Sequence, residues 1–313
     1  MSARTRELIT GAAKRLHYVP NGSARSLVTN ENKSVGVIVR NLRSPMLMEM
    51  IGRIEDYLQK KGYCTIIMGA GGNLAHTVDS LLFQNVGGML IYPELSRVDL
   101  DKFRYLRSID FPFVLMSSDG TDHGLDAVYM DRRIGAYKAT AHLASLKHKR
   151  IAFIAGDSIK LGGYQQALKE NGLHWDERLV INAREYHCQA GYDACAELFD
   201  RKNGMTALFC STDSYALGAL KCCRDRGIAV PKDLAIVGCD NLEEAAFAEV
   251  PLTTIAYNIK AETEMAAELL FLRMRGGSHM VKNENIALEP ELIVRESTAG
   301  IKRKQTVEEF CAH

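Results

Sequence analysis

The chain has one tryptophan, seven prolines and no apolar run long enough to span a membrane. A transmembrane helix needs about 20 apolar residues in succession, so none is expected and no membrane partner with it. The scarcity of proline in 313 residues argues against a Pro-rich disordered chain. The N-terminus is polar and basic and lacks the apolar stretch of a secretory signal. None of the eight cysteines forms a C-x-x-C pair, and Cys222 and Cys223 are adjacent, a spacing that makes poor disulfides. A reducing, cytoplasmic setting is the simplest expectation. The nine histidines are scattered without zinc spacing, so neither a metal nor a cofactor is expected. No G-x-S-x-G elbow, Cys-His pair or paired carboxylates stand out, which argues against an enzyme. Gly69-Ala70-Gly71-Gly72 lacks both the G-x-G-x-x-G spacing and the Lys-Ser/Thr pair of a phosphate loop.

What is present is ordinary globular composition, 47% hydrophobic and 25% charged, in a chain long enough for two domains with real cores. Its charge is unevenly placed. Residues 1–33 carry six Lys/Arg (Arg4, Arg6, Lys14, Arg15, Arg25, Lys33) against Glu7 and Glu31, a surplus of four in a chain whose net charge is +1. A basic arm on a mildly acidic body implies that the arm meets a polyanion, although a solvated surface helix has the same signature. Leu8, Ile9, Ala12, Ala13 and Leu16 recur at helical spacing. Pro20 ends that helix, Ser23–Val28 has room for one or two turns, and Thr29–Lys33 reads as a linker. So short a helix is marginal in water, and its order depends on DNA or a partner.

From Ser34 onward strands and helices alternate. Val35–Val39 is a continuous apolar run, fit for a strand buried on both faces. Met46, Leu47, Met50, Ile54 and Leu58 follow at helical spacing, then the strand-like runs Cys64–Met68, Gly88–Tyr92 and Phe113–Met116, and a helix over Asp131–Leu146. A second series restarts with strands at Arg150–Ala155, Ala207–Cys210 and Leu234–Gly238 and helices at Tyr164–Asn171, Ala190–Phe199, Tyr215–Arg226 and Ile259–Arg275. Two β-α-β series predict an α/β fold with two parallel sheets covered by helices.

Ser2-Ala3-Arg4-Thr5-Arg6-Glu7, Leu16-His17-Tyr18-Val19-Pro20-Asn21, Ala24-Arg25-Ser26-Leu27, Ser34-Val35-Gly36-Val37-Ile38-Val39 and, near the far end, Arg295-Glu296-Ser297-Thr298 together resemble the lactose-repressor (LacI–GalR) family of bacterial transcription regulators. The resemblance spans nearly the whole chain. It implies two doubly wound parallel-sheet lobes, a periplasmic-binding-protein-like clamshell, preceded by a helical headpiece remnant and hinge helix. The implied division is 1–33 for headpiece helix and hinge, 34–300 for the effector-binding core, and 301–313 for a tail. Within the core, one lobe is placed at about 34–145 plus 258–287 and the other at about 146–257 plus 288–300. The family's helix-turn-helix pair precedes the Ser-x-x-Thr-Arg block and needs roughly 20 residues. Only Met1 stands before that block here. The resemblance thus implies a member lacking most of its helix-turn-helix, with weakened operator binding. The missing signal argues against a periplasmic binding protein of the same fold.

The implied function is an allosteric repressor that senses a small molecule such as a sugar or sugar derivative between its lobes and meets operator DNA as a homodimer. A cytoplasmic sensor that has lost DNA binding is the alternative. For DNA the resemblance points to Thr5, Arg6, Tyr18, Asn21, Ala24, Arg25 and Leu27. Leu27 would wedge into the minor groove, where an apolar side chain unstacks one step and bends the duplex. Thr5, Arg6, Tyr18 and Asn21 can donate to phosphates, while helix capping explains Thr5 and a turn explains Asn21 equally well. For the effector it points to Met46, Ser118, Asp131, Lys160, Tyr186, Thr212, Asp213 and Asp240. Asp240 ends a strand, where its carboxylate can accept from ligand hydroxyls or cap the next helix. Thr212-Asp213 ends another strand, and Asp131 opens a helix that it can equally cap. Lys160, read as a loop residue, suits a phosphate or carboxylate, and Tyr186 is placed to stack. Ser44-Pro45-Met46-Leu47 and Ser117-Ser118 lack aromatic and cationic residues usual in the family, so a less aromatic and less cationic cleft is expected.

Overall fold

The structure is a computed structural model that describes residues 2–16, 32–92, 97–117, 124–183, 185–276 and 283–299. Helix α1 (Ala3–Arg15) comes first. Thr5 N donates to Ser2 Oγ at 3.2 Å, so Ser2 satisfies one of the helix's orphan donors. The expected apolar stripe is open to solvent: Leu8, Ile9 and Leu16 are all more than half exposed.

The body holds two six-stranded sheets. The first contains β1 (Ser34–Val39), β2 (Cys64–Gly69), β3 (Gly88–Tyr92), β4 (Phe113–Leu115), β5 (Ala127–Met130) and β11 (Asn285–Leu288), in the order β11-β5-β4-β3-β1-β2. The second contains β6 (Ile151–Ala155), β7 (Val180–Asn182), β8 (Ala207–Cys210), β9 (Ala235–Asp240), β10 (Thr253–Ala256) and β12 (Glu291–Ile293), in the order β12-β10-β9-β8-β6-β7. Every pairing is parallel except β10 with β12. The chain moves from one sheet to the other after β5, returns after β10, and crosses again between β11 and β12.

The apolar run in β1 buries both faces of that strand. Val35, Val37 and Val39 join a core with α2 (Pro45–Lys60) and α10 (Ile259–Gly276). Ile38 points the other way, into a core with α3 (Leu74–Phe83) and α4 (Arg97–Ser108). A side chain every second residue explains the split. Gly36 faces α3 so closely that an added Cβ would stand 2.7 Å from Leu81. In the second lobe α6 (Ser158–Glu170) and α5 (Arg132–Ser145) cover one face, and α7 (Cys188–Asp200) and α8 (Asp213–Asp225) the other. The boundary near residue 145 assigned α5 to the first lobe. Its Ala136, Ala139 and Leu143 instead pack against Phe153, Phe209 and Val237 of the second sheet, so the first lobe's initial run of chain ends with β5.

Candidate functional site

In open parallel sheets, ligands gather at the carboxyl ends of the strands. Here the carboxyl ends of both sheets border one cavity. In the second lobe, β6 runs into Gly156 and Asp157. Asp157 caps α6 by accepting from Lys160 N at 2.8 Å. Lys160 therefore sits in the first turn of a helix rather than in a loop. Its side chain is buried, and Nζ donates to Ser211 O at 2.6 Å. Thr212 lines the cavity while capping α8, its Oγ1 accepting from Tyr215 N at 3.2 Å.

Strand β9 ends at Asp240, which has φ +115°, followed by Asn241 at φ +55°. A non-glycine residue in that region is strained, and such strain persists only where neighbours over-determine it. The neighbours are identifiable. Asp213 accepts from Leu242 N at 2.8 Å and from Thr254 Oγ1 at 2.6 Å. Arg295 donates to Asn241 Oδ1 at 2.7 Å. A Cβ on Gly238 would come within 2.1 Å of Asp213 Oδ1, so glycine makes room for that carboxylate. Asp213 is fully buried and absent from the cavity wall; it holds the turn that presents Asp240. Burial pushes its pKa up to about 6 against the hydrogen bonds from Thr254 and Leu242.

The first lobe contributes Arg40 after β1, Tyr92 at the end of β3, Tyr129 and Met130 at the end of β5, and Met46 from α2. Glu262 from α10 completes this side, while Arg132 at the start of α5 and Tyr257 between β10 and α10 line the cavity where the chain crosses between the lobes. Arg40 spans the gap to the second lobe, its guanidinium 4.6 Å from the centre of the Tyr186 ring. Tyr186 also stacks on Tyr215 with ring centres 5.9 Å apart, and its hydroxyl donates to Gly156 O at 2.8 Å. Arg132 Nη1 stands 3.8 Å from Asp157 Oδ2.

Burial dominates the electrostatics. It pushes Asp240 up to about 8, although Lys160 pulls the other way. It pushes Glu262 up to about 8 as well, against Arg132. For Lys160 burial opposes the charge, but Cys239, Asp240 and Asp157 more than offset it and hold the ammonium above its ordinary range. The Cys239 thiol is itself pushed up to about 12 by burial. Burial also pushes the Tyr92 phenol up to about 12, while Arg132, Lys160 and Arg40 all act on it in the opposite direction.

Of the expected effector residues, Met46, Lys160, Tyr186, Thr212 and Asp240 come together on the cavity wall. Asp213 and Asp131 do not. Asp131 caps α5, accepting from Ile134 N at 2.9 Å, and is absent from the wall. Ser118 lies outside the described residues, and its neighbour Ser117 lines the cavity. The cavity also takes in Tyr92, Tyr129 and Tyr257 and the cations Arg40 and Arg132. Those residues and Glu262 went unread. A tyrosine ending a strand-like run, and an arginine following one, were the only local signals. Of the expected DNA contacts, Thr5 is exposed, with its Oγ1 2.8 Å from Ser2 Oγ. Arg6 lies within α1. Tyr18, Asn21, Ala24, Arg25 and Leu27 lie outside the described residues.

Residues 140–298 match the family described as "Periplasmic binding protein-like domain". Over 96% of its length the chain is 31% identical to the HTH-type transcriptional repressor CytR of Escherichia coli, covering 89% of that protein. It is 29% identical to the ribose operon repressor of Haemophilus influenzae, with 96% of this chain and 92% of the relative aligned. Among solved structures it is similar to a LacI family transcriptional regulator from Enterococcus faecium with bound ribose: TM-score 0.75, 28% identity, 86% of this chain and all of that one covered.

Proposed function

The chain belongs to the lactose-repressor (LacI–GalR) family of transcription regulators, and on that footing we propose that it is an effector-responsive, DNA-binding repressor. Its signal is a small molecule, a sugar or sugar derivative, received in the cavity between the two sheets. The observation that carries this reading is the alignment of 96% of the chain with a transcriptional repressor at 31% identity. The polar cavity at the strand ends supports it. The relatives are regulators rather than enzymes, and among the described residues no helix is long and apolar enough to cross a membrane. Work on operator DNA places the protein in the cytoplasm.

The mechanism proceeds by linkage. An effector shifts the relation of the two lobes only by as much as it binds one geometry better than the other. In a homodimer that relation sets the spacing of two copies of residues 1–33 on DNA, with Thr5, Arg6, Tyr18 and Asn21 toward phosphates and Ala24, Arg25 and Leu27 toward the minor groove. A second copy has a suitable face to cover: Leu217, Leu220, Val230 and Val250 border a groove close in sequence to Phe247, which is 81% exposed. Such an exposed apolar patch marks an interface.

Protein immobilised and incubated with sheared genomic DNA is expected to retain discrete fragments. Its affinity for them should fall linearly on a log–log plot against salt, because phosphate contacts release counterions. Failure to retain any fragment at low salt contradicts the repressor reading and leaves a sensor without DNA binding.

A further inference from the structure

The three chain crossings between the lobes leave from β5, β10 and β11. Each of these strands stands first or second in its sheet's order, β11-β5-β4-β3-β1-β2 or β12-β10-β9-β8-β6-β7. Arg40 follows β1 and Tyr186 follows β7, toward the opposite end of both orders. The two residues meet across the cavity that both line, with the guanidinium 4.6 Å from the ring centre. Motion of the lobes about the crossings separates this far edge most, so a contact there has the longest lever against opening. Each partner is fixed in its own lobe. Arg40 N donates to Tyr92 O at 3.0 Å, which holds the end of β1 beside β3. The Tyr186 hydroxyl donates to Gly156 O at 2.8 Å, and its ring stacks on buried Tyr215. A Cβ on Gly156 would stand 3.0 Å from the Tyr186 ring, so glycine makes room for it. A guanidinium over an aromatic face is attracted by the ring quadrupole, more strongly where water is partly excluded, and both residues are half-buried.

We propose that Arg40 and Tyr186 form a latch, opposite the chain crossings, that holds the lobes together in the ligand-free protein and releases when they part. A ligand ring that stacks on the same face of Tyr186 displaces Arg40, so the latch opposes such a ligand. That consequence rests on the cavity being the effector site, whereas the latch does not, and its test needs no ligand. Hydrogen exchange is followed by mass spectrometry on the full chain as wild type, Arg40→Met, Tyr186→Leu, the double variant and Arg40→Lys. Arg40→Met is expected to speed exchange about threefold or more at 157–160, across the cavity, and Tyr186→Leu to do so at 40–46. The double variant should be no faster than the faster single one, since both changes remove the same contact. Arg40→Lys keeps a cation on the ring and should recover part of the protection. Faster exchange confined to the altered residue's own lobe, or effects that add in the double variant, overturns the latch and leaves the effector reading untouched. A second measurement uses the wild type alone and stands even if a variant folds poorly. Phenylglyoxal should modify Arg40 several-fold more slowly than Arg104, whose side chain is 70% exposed; equal rates overturn the inference.

Discussion

An Asp126→Ala variant is expected to lose about 3–5 kcal/mol of unfolding free energy, because it strands a buried cation. Arg273, near the end of α10, is 1% exposed. Its Nε and Nη2 donate to the two oxygens of Asp126, each at 2.7 Å. Asp126 Oδ1 also accepts from Glu284 N at 2.9 Å. One carboxylate thus ties the end of α10 to the approaches of β5 and β11, elements brought together across 147 and 158 residues of sequence. Phe113 and Leu125 line the same site beside Arg107 and Asn283, so a guanidinium deprived of Asp126 is left buried next to a second cation. The loss comes from the stranded charge rather than from the pair itself, so Asp126→Leu combined with Arg273→Met should be less damaging than Asp126→Ala alone. Urea unfolding of the three proteins measures this. A single-variant loss below about 1 kcal/mol would mean that water already reaches the pair.

The ligand-free protein is expected to lose stability between about pH 4 and pH 8 through Asp240 and Glu262. Both carboxyls are raised in the fold from their ordinary values to about 8. Across that window the folded protein binds more protons than the unfolded chain, so stability falls as pH rises. The contribution is complete below the unfolded pKa values and is gone once pH passes the folded ones. Each pKa unit corresponds to about 1.4 kcal/mol, so the upper bound is about 6 kcal/mol for Asp240 and about 5 kcal/mol for Glu262. The groups facing Asp240 are Lys160, Asp213, Asp157 and Cys239; Arg132 and the backbone at Met130 face Glu262. Urea midpoints followed from pH 5 to pH 9 should slope downward in the wild type. The Asp240→Asn, Glu262→Gln double variant should be flatter. An unchanged slope in the double variant would show that neither acid is held neutral by the fold.

Local pattern was enough for the strands and not for the site. Val35–Val39 announced β1 because a strand covered on both faces needs no polar position. Met46 to Leu58 announced α2 by period. The helix expected from Tyr164 begins instead at Ser158. In the fold, a Cβ on Gly163 would meet Arg133 O at 2.1 Å, so that glycine serves close helix packing rather than a turn. Moving the helix start to Ser158 carried Lys160 from a loop into the buried wall. Asp131, Asp213 and Thr212 each fit both a cap and a ligand contact, and sequence could not separate the two roles. Thr212 does cap α8 and also lines the cavity, whereas Asp131 and Asp213 serve structure alone within the described contacts. Arg40, Arg132 and Glu262 come from β1, α5 and α10, and only the tertiary fold brings them to one wall.

A ligand in this cavity is expected to control DNA binding by residues 1–33. Fluorescence anisotropy of a DNA fragment retained by the protein, titrated with and without a sugar that fills the cavity, tests it directly. The account predicts that the sugar changes DNA affinity by about 5–150-fold, the usual range of allosteric coupling, and that Asp240→Asn abolishes the change while leaving ligand-free DNA binding in place. DNA affinity indifferent to a sugar that demonstrably occupies the cavity would contradict it.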